Sequence, residues 1–421
     1  MSRFPQIISK AWLCVVLLWV VALLNYLDRI MLTTMRISLT EAIPMSDKQF
    51  GLLTSVFLWV YGLCSPFAGF LADRFSRRYI IIGSLFVWSA VTWLTGHAQT
   101  FEQLLVARGL MGISEAFYIP AALALIVDFH RGPTRSLATG IHMSGIMVGS
   151  GLAGLGGWLA ERHGWSYAFN LFGIIGIAYS FILIFFLREA PRENSSDASH
   201  LGKTEFLPAL KSLFSKGSFF IALLFWGLLG VVGWGVAGWM PTHFGERFNL
   251  SQGAAGFSAT AYLQVANIFG VILGGGIADR WSRKTERGRI FTVVVGLCLA
   301  SPGILLAANT HVLGLAIGGL ILYGLMRSFA DSNMMPILCM VADARYRATG
   351  YGVLNMFACA VGGFTIYAGG ALRDSNVDVS RIFQFSAASL IVCAAILLFV
   401  RPTLGTNATH IDIAKDQADV V

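Results

Sequence analysis

Twelve stretches of this chain are long and nearly free of charge, and a helix of about 20 apolar residues is what crosses bilayer hydrocarbon. They fall near 11–33, 48–72, 79–96, 101–128, 135–159, 165–187, 216–240, 252–278, 289–307, 312–340, 346–370 and 380–400. Backbone groups in hydrocarbon must bond within their own segment, so the pattern predicts an all-α integral membrane protein with twelve transmembrane helices. Composition agrees: 12% of residues are charged, against roughly 25% in soluble domains. The first stretch is too long for a signal-peptide core and lacks a small-residue cleavage site, so it is expected to stay. Six scattered cysteines include no CxxC pair, and neither a disulfide framework nor a metal site is expected.

The net charge of +8 would suit nucleic acid or anionic lipid, but its distribution argues otherwise. Of 30 Lys and Arg, 21 fall in the termini and even-side loops and six on the opposite side. Arg29, Arg108 and Arg327 lie within spans. This asymmetry is the positive-inside pattern, and it predicts both termini in the cytoplasm. Nucleic acid is therefore not expected as a partner.

The only long polar interval, 188–215, separates six spans from six. The expected division is a bundle over 1–187, a linker over 188–215, a second bundle over 216–400 and a tail over 401–421. The halves repeat one another. "GFLADRFSRR" (Gly69–Arg78) recurs as "GGIADRWSRK" (Gly275–Lys284), and Glu115 precedes Pro120 by five residues as Asp331 precedes Pro336. Two six-span copies in one orientation form a recurring transporter plan, with the substrate site between halves near mid-membrane. The prediction is therefore two pseudo-symmetric six-helix bundles.

Charged residues inside spans are costly and usually functional. "NYLDR" (Asn25–Arg29) places Tyr26, Asp28 and Arg29 near the end of span one. In span four Arg108 and Glu115 are seven residues apart on one face, at depths of about 10 and 20 Å. Two bases and two acids at matching depth suggest an anion site on Arg29 and Arg108, with Asp28 and Glu115 carrying protons. An anion on Arg29 would weaken its hold on the carboxylates, so anion and proton would bind cooperatively. The alternative is an inert buried ion-pair network that fixes packing. His142, Gln264, Asn267 and Asn355 are further candidate ligands, with Tyr323, Tyr367, Trp234 and Trp239 as polar or stacking surfaces. Each is also explicable as an interhelical contact.

The duplicated loops suggest gates. Asp73, Arg74 and Arg77 have Asp128 and Arg135 as nearby partners; Asp279 and Arg280 have Asp343 and Arg347. Basic loops that merely set topology are the simpler alternative. Arg327 and Asp331, four apart in span ten, read as a structural or gating pair. The glycine-rich "GIMVGSGLAGLGG" (Gly145–Gly157) follows no strand, so no nucleotide site is expected.

The duplicated loop resembles the signature of the major facilitator superfamily, over about residues 11–400. Within it "NYLDR", "RGLMGISEAFYIPA" (Arg108–Ala121) and "WMPTHF" (Trp239–Phe244), placed after span seven, are similar to the anion:cation symporter family. Spinster-type lysolipid carriers share much of the span-one and span-four pattern. The resemblance implies proton-coupled symport of a small organic anion, a sugar acid such as a hexuronate or aldonate or another carboxylate, by alternating access. It implies a monomer in a plasma membrane, such as a bacterial inner membrane, driven by the proton gradient without cofactor. The alternative is a lysolipid or amphiphile exporter on the same fold. A membrane enzyme would need a catalytic His–Asp or metal cluster that the histidines do not suggest. A sensor would need a longer extension than the residues after Arg401.

Overall fold

The computed structural model describes residues 3–130, 134–190, 206–342 and 346–400, with side chains described except at 3–9, 69–70, 72–73, 206–207 and 347–348. In the first half the helices are α1 (Arg3–Thr34), α2 (Arg36–Ala42), α3 (Asp47–Arg74), α4 (Arg77–Thr95), α5 (Phe101–Ala116), α6 (Tyr118–Phe129), α7 (Arg135–Gly151), α8 (Gly154–His163) and α9 (Trp165–Phe186). In the second they are α10 (Phe206–Phe214), α11 (Gly217–Phe248), α12 (Gln252–Ser282), α13 (Gly288–Asn309), α14 (Leu313–Val341), α15 (Arg347–Asp374) and α16 (Ser380–Leu397). Among the described residues there are twelve spans, α5 with α6 and α7 with α8 each forming one, and no strand.

Three expectations shift. "WMPTHF" lies inside α11, because Pro241 removes one N–H while the buried Trp239, Met240 and Phe244 keep the helix packed. The fourth span breaks at Phe117, where Pro120 has no N–H for the Ala116 carbonyl. The equivalent Pro336 is accommodated within an unbroken α14. The interval 188–215 contains α10, whose Ala209 and Leu213 are buried, Leu213 beside Gly350 of α15. Residues 191–205 and 401–421 lie outside the described residues.

The start of α1 and the α3–α4 and α12–α13 turns share one face, here called proximal. The turns after α2, α4, α8, α11, α13 and α15 form the distal face. The halves meet along two seams, α3 against α15 and α7–α8 against α12. The approach is closest at Gly370, where a Cβ would lie 2.2 Å from the Asp47 carbonyl oxygen, and at Gly154, where it would lie 2.6 Å from the Phe257 nitrogen. Small residues are what let membrane helices pack this closely.

The distal ends of both seams are locked by polar groups, and the locks mirror each other. Asp374 of α15 accepts the Asp47 and Lys48 N–H groups at the start of α3, at 2.9 and 3.0 Å. Glu161 of α8 accepts the Gly253 N–H at the start of α12, at 2.9 Å. Each carboxylate thus caps a helix of the opposite half, where orphan N–H groups and the helix dipole favour an anion. Around the first cap Arg36 pairs with Asp47. Arg373 binds Asp47 at 2.9 Å and both Glu246 oxygens at 2.7 and 2.9 Å. Further bonds join the halves inward from this face: Ser55 to the Gly363 carbonyl at 2.7 Å, Trp59 Nε1 to the Ala360 carbonyl at 3.0 Å and Thr260 Oγ1 to the Gly151 carbonyl at 3.1 Å.

Candidate functional site

Asn25 and Arg29 share a face of α1, four residues apart, and Arg29 Nη2 donates to Asn25 Oδ1 at 3.3 Å. The same guanidinium reaches Glu115 of α5: Nη2 and Nε lie 2.9 and 3.3 Å from Oε2. Three rings surround it, Tyr26 at 4.4 Å, Tyr61 at 4.5 Å and Phe57 at 5.0 Å. The ion pair is sealed, its side chains 2% and 0% exposed. A pair this deep is held by enclosure: removing one partner strands the other, at a cost of about 3–5 kcal/mol.

Asp28 is one residue earlier and therefore about 100° around the helix, and it faces α4. Thr92 Oγ1 approaches its Oδ2 at 3.4 Å, and Oδ1 has no hydrogen-bond partner among the described residues. Arg108 turns into the first half as well. Its Nε donates to the Leu53 carbonyl at 3.3 Å, its guanidinium lies 4.7 Å from the Phe57 ring centre, and Nη2 has no partner among the described residues. Two acids and two bases thus gather as spacing suggests, but as one ion pair, one lone carboxyl and one lone guanidinium. All four are buried in the first half rather than laid open on a cavity wall.

The remaining candidates separate. His142 packs edge-on to Tyr118, enclosed in the first-half core, and neither ring nitrogen finds a hydrogen-bond partner among the described residues. Trp239 is fully buried with Nε1 donating to the Ile366 carbonyl at 3.1 Å, so it braces the distal α11–α15 contact and offers no free stacking face. Asn267 links Gln264 to Ser328 within the second half, and Gln264 also borders Gly151 across the α7–α12 seam. Asn355 is half-buried on α15. Tyr323 is enclosed, Tyr367 lies near Lys48 on the distal side, and Trp234 packs on Gly362.

Arg327 Nη1 binds Asp331 Oδ2 at 2.9 Å on α14, with side chains 18% and 31% exposed. Tyr26 of the first half and Tyr351 of the second lie within electrostatic range of Asp331 and of each other, so this pair looks across the gap between halves. Phe57, Tyr61 and Tyr351 were not singled out by sequence, because an aromatic residue in an apolar span gives no signal until a charge is found beside it.

On the proximal face Arg77 pairs with Asp128 inside the first half. Asp279 pairs with Arg289 at 2.7 Å inside the second. Arg74 and Arg280 are exposed. The Asp73 and Arg347 side chains, and residue Asp343, lie outside what is described. Both pairs lie inside one half, while Asp374, Glu161 and Arg373 join the halves at the distal face. The molecule is closed at its distal face.

The Major Facilitator Superfamily family model matches residues 18–367. Protein spinster of Drosophila melanogaster is 27% identical over 74% of this chain and 54% of its own length. Spinster homolog 1 of Homo sapiens is 28% identical over 71% of this chain and 60% of its own. The Sphingosine-1-phosphate transporter SPNS2 of Mus musculus is 28% identical over 69% and 57%. The chain spans little more than half the length of these relatives. A bacterial homolog of human lysosomal transporter Spinster, solved inward-facing and unoccupied, superposes with a TM-score of 0.74 at 21% identity over 95% of this chain and 96% of that one. Of the two resemblances read from sequence, these relatives belong to the Spinster side. Twelve spans among the described residues, paired seams and the match over most of its length make the chain a multi-pass membrane protein of the Major Facilitator Superfamily.

Proposed function

We propose that the chain is a Spinster-type carrier, moving an amphiphile with one apolar tail and one anionic head by alternating access. The observation that carries the reading is where the charges sit. Arg29 is neutralised and enclosed by Glu115 and three rings, and Arg108 is buried. What remains beside the gap is the part-exposed Arg327–Asp331 pair together with Tyr26 and the exposed Tyr351, one charged anchor among aromatic surfaces. A sugar acid brings hydroxyls on every carbon, each needing a partner when desolvated. An amphiphile asks for an apolar wall and one polar anchor. The likeness to Spinster relatives, one of them named for sphingosine-1-phosphate, supports the same choice.

Proton coupling belongs to this proposal. A carboxyl at Glu115 whose neutraliser can be drawn away is a place to load a proton, and Asp28 is a second. With both termini cytoplasmic, distal closure is an inward-facing state. The test is transport by the full chain in liposomes under an imposed pH gradient, with labelled oleoyl-lysophosphatidate and labelled glucuronate in parallel. Gradient-dependent movement of the lysolipid and none of the sugar acid is expected. Accumulation of glucuronate with no lysolipid movement would return the function to small-anion symport.

A further inference from the structure

Two Arg–carboxylate pairs lie within the spans, their acids at equivalent positions of spans four and ten, and they differ in access. Arg29–Glu115 is sealed within the first half. A ligand could reach that guanidinium only by parting three rings and stranding Glu115, at about 3–5 kcal/mol. Arg327–Asp331 is half-open. Its contact is single, from Nη1 to Oδ2. The Arg327 Nε is buried and has no hydrogen-bond partner among the described residues. On the α11 side Nη2 faces Gly233, where a Cβ would lie 3.2 Å away, so that position offers no side chain to compete for the guanidinium.

Resting on the amphiphile reading, we propose that Arg327 is the cation that receives the cargo's anionic head, with Asp331 as its resting counter-ion. A guanidinium has five N–H donors, and here one is matched among the described residues. The unmatched donors suit an oxyanion, and a phosphate monoester with three terminal oxygens uses more of them than a carboxylate can. Asp331 is the more exposed partner and can turn to water when displaced. Glu115, with no exposure, cannot.

The test measures binding of oleoyl-lysophosphatidate, oleate and uncharged monoolein to the full chain in nanodiscs. Wild type should prefer them in that order. Arg327→Gln should weaken lysophosphatidate about tenfold or more, the loss expected for hydrogen bonds to a charged group, and leave monoolein unchanged. Asp331→Asn keeps the guanidinium and removes its competitor, so lysophosphatidate should bind as tightly as to wild type or more so. It decides the matter alone if Arg327→Gln fails to fold. Unchanged headgroup preference in folded Arg327→Gln, or a tenfold loss in Asp331→Asn, overturns the assignment while the amphiphile reading stands. Wild type that binds none of the oleoyl ligands overturns the reading itself, and the assignment with it.

Discussion

Three buried side chains behave differently although sequence presents them alike. Glu115 neutralises Arg29, so truncating either strands a charge. Arg29→Ala is expected to destabilise the protein by about 3–5 kcal/mol, read as a large fall in thermal unfolding temperature in detergent. Asp28 has no ion-pair partner among the described residues, only the long contact from Thr92. Asp28→Asn removes a buried charge and keeps the shape, so its unfolding temperature should equal or exceed that of wild type. A marked fall would mean that Asp28 carries a stabilising interaction not visible in this state. Glu115→Gln leaves Arg29 without its counter-charge and should lower the unfolding temperature, so coupling is read on the folded protein, where an amide resembles the protonated acid but releases nothing. Exchange of labelled for unlabelled substrate should survive while gradient-driven accumulation collapses. Accumulation at the wild-type level would move the proton to Asp28.

At the scale of elements, the distal closure rests on helices of each half capped by the other. Asp374 on α3 and Glu161 on α12 hold equivalent positions, one at the end of span eleven and one at the end of span five. A cap of this kind is worth about 1 kcal/mol, which is small for a fold but large for an equilibrium between two carrier states. Asp374→Asn combined with Glu161→Gln should therefore populate a distally open form. Spin labels at Glu41 and Ser375 should report a new, longer distance in the double variant. An unchanged distance distribution would confine the caps to local helix stability. The duplicated proximal loops, in contrast, hold Arg77–Asp128 and Asp279–Arg289 inside their own halves.

For the whole molecule, the asymmetry of 21 basic residues in the termini and even-side loops against six in the others predicts a cytoplasmic proximal face. Cysteine probes at Lys284 should react only from the cytoplasm, and probes at Asn249 or Asn376 only from outside. Labelling of Lys284 from outside would invert the carrier and turn the distally closed state into an outward-facing one.

The twelve spans, the repeat and the presence of ionisable residues at mid-membrane were all legible in the chain, because bilayer thickness and the cost of intramembrane charge act on local composition. The gathering of Asp28, Arg29, Arg108 and Glu115 was legible too, since helical rise converts sequence position into depth. Rotation and neighbours were not. Whether Arg29 faced a cavity or Glu115 depended on how α1 and α5 turn toward each other, and that is settled by packing of Phe57 and Tyr61 from a third helix. The same holds for Trp239 and His142, polar aromatics whose sequence surroundings fit a ligand wall and whose neighbours enclose them instead. Arg327–Asp331 looked like a spacing pair along one helix, and only its exposure beside Gly233 distinguishes it from its sealed counterpart. Depth and charge are properties of a segment and could be read from the chain alone, whereas access is a property of the space between segments and had to await the fold.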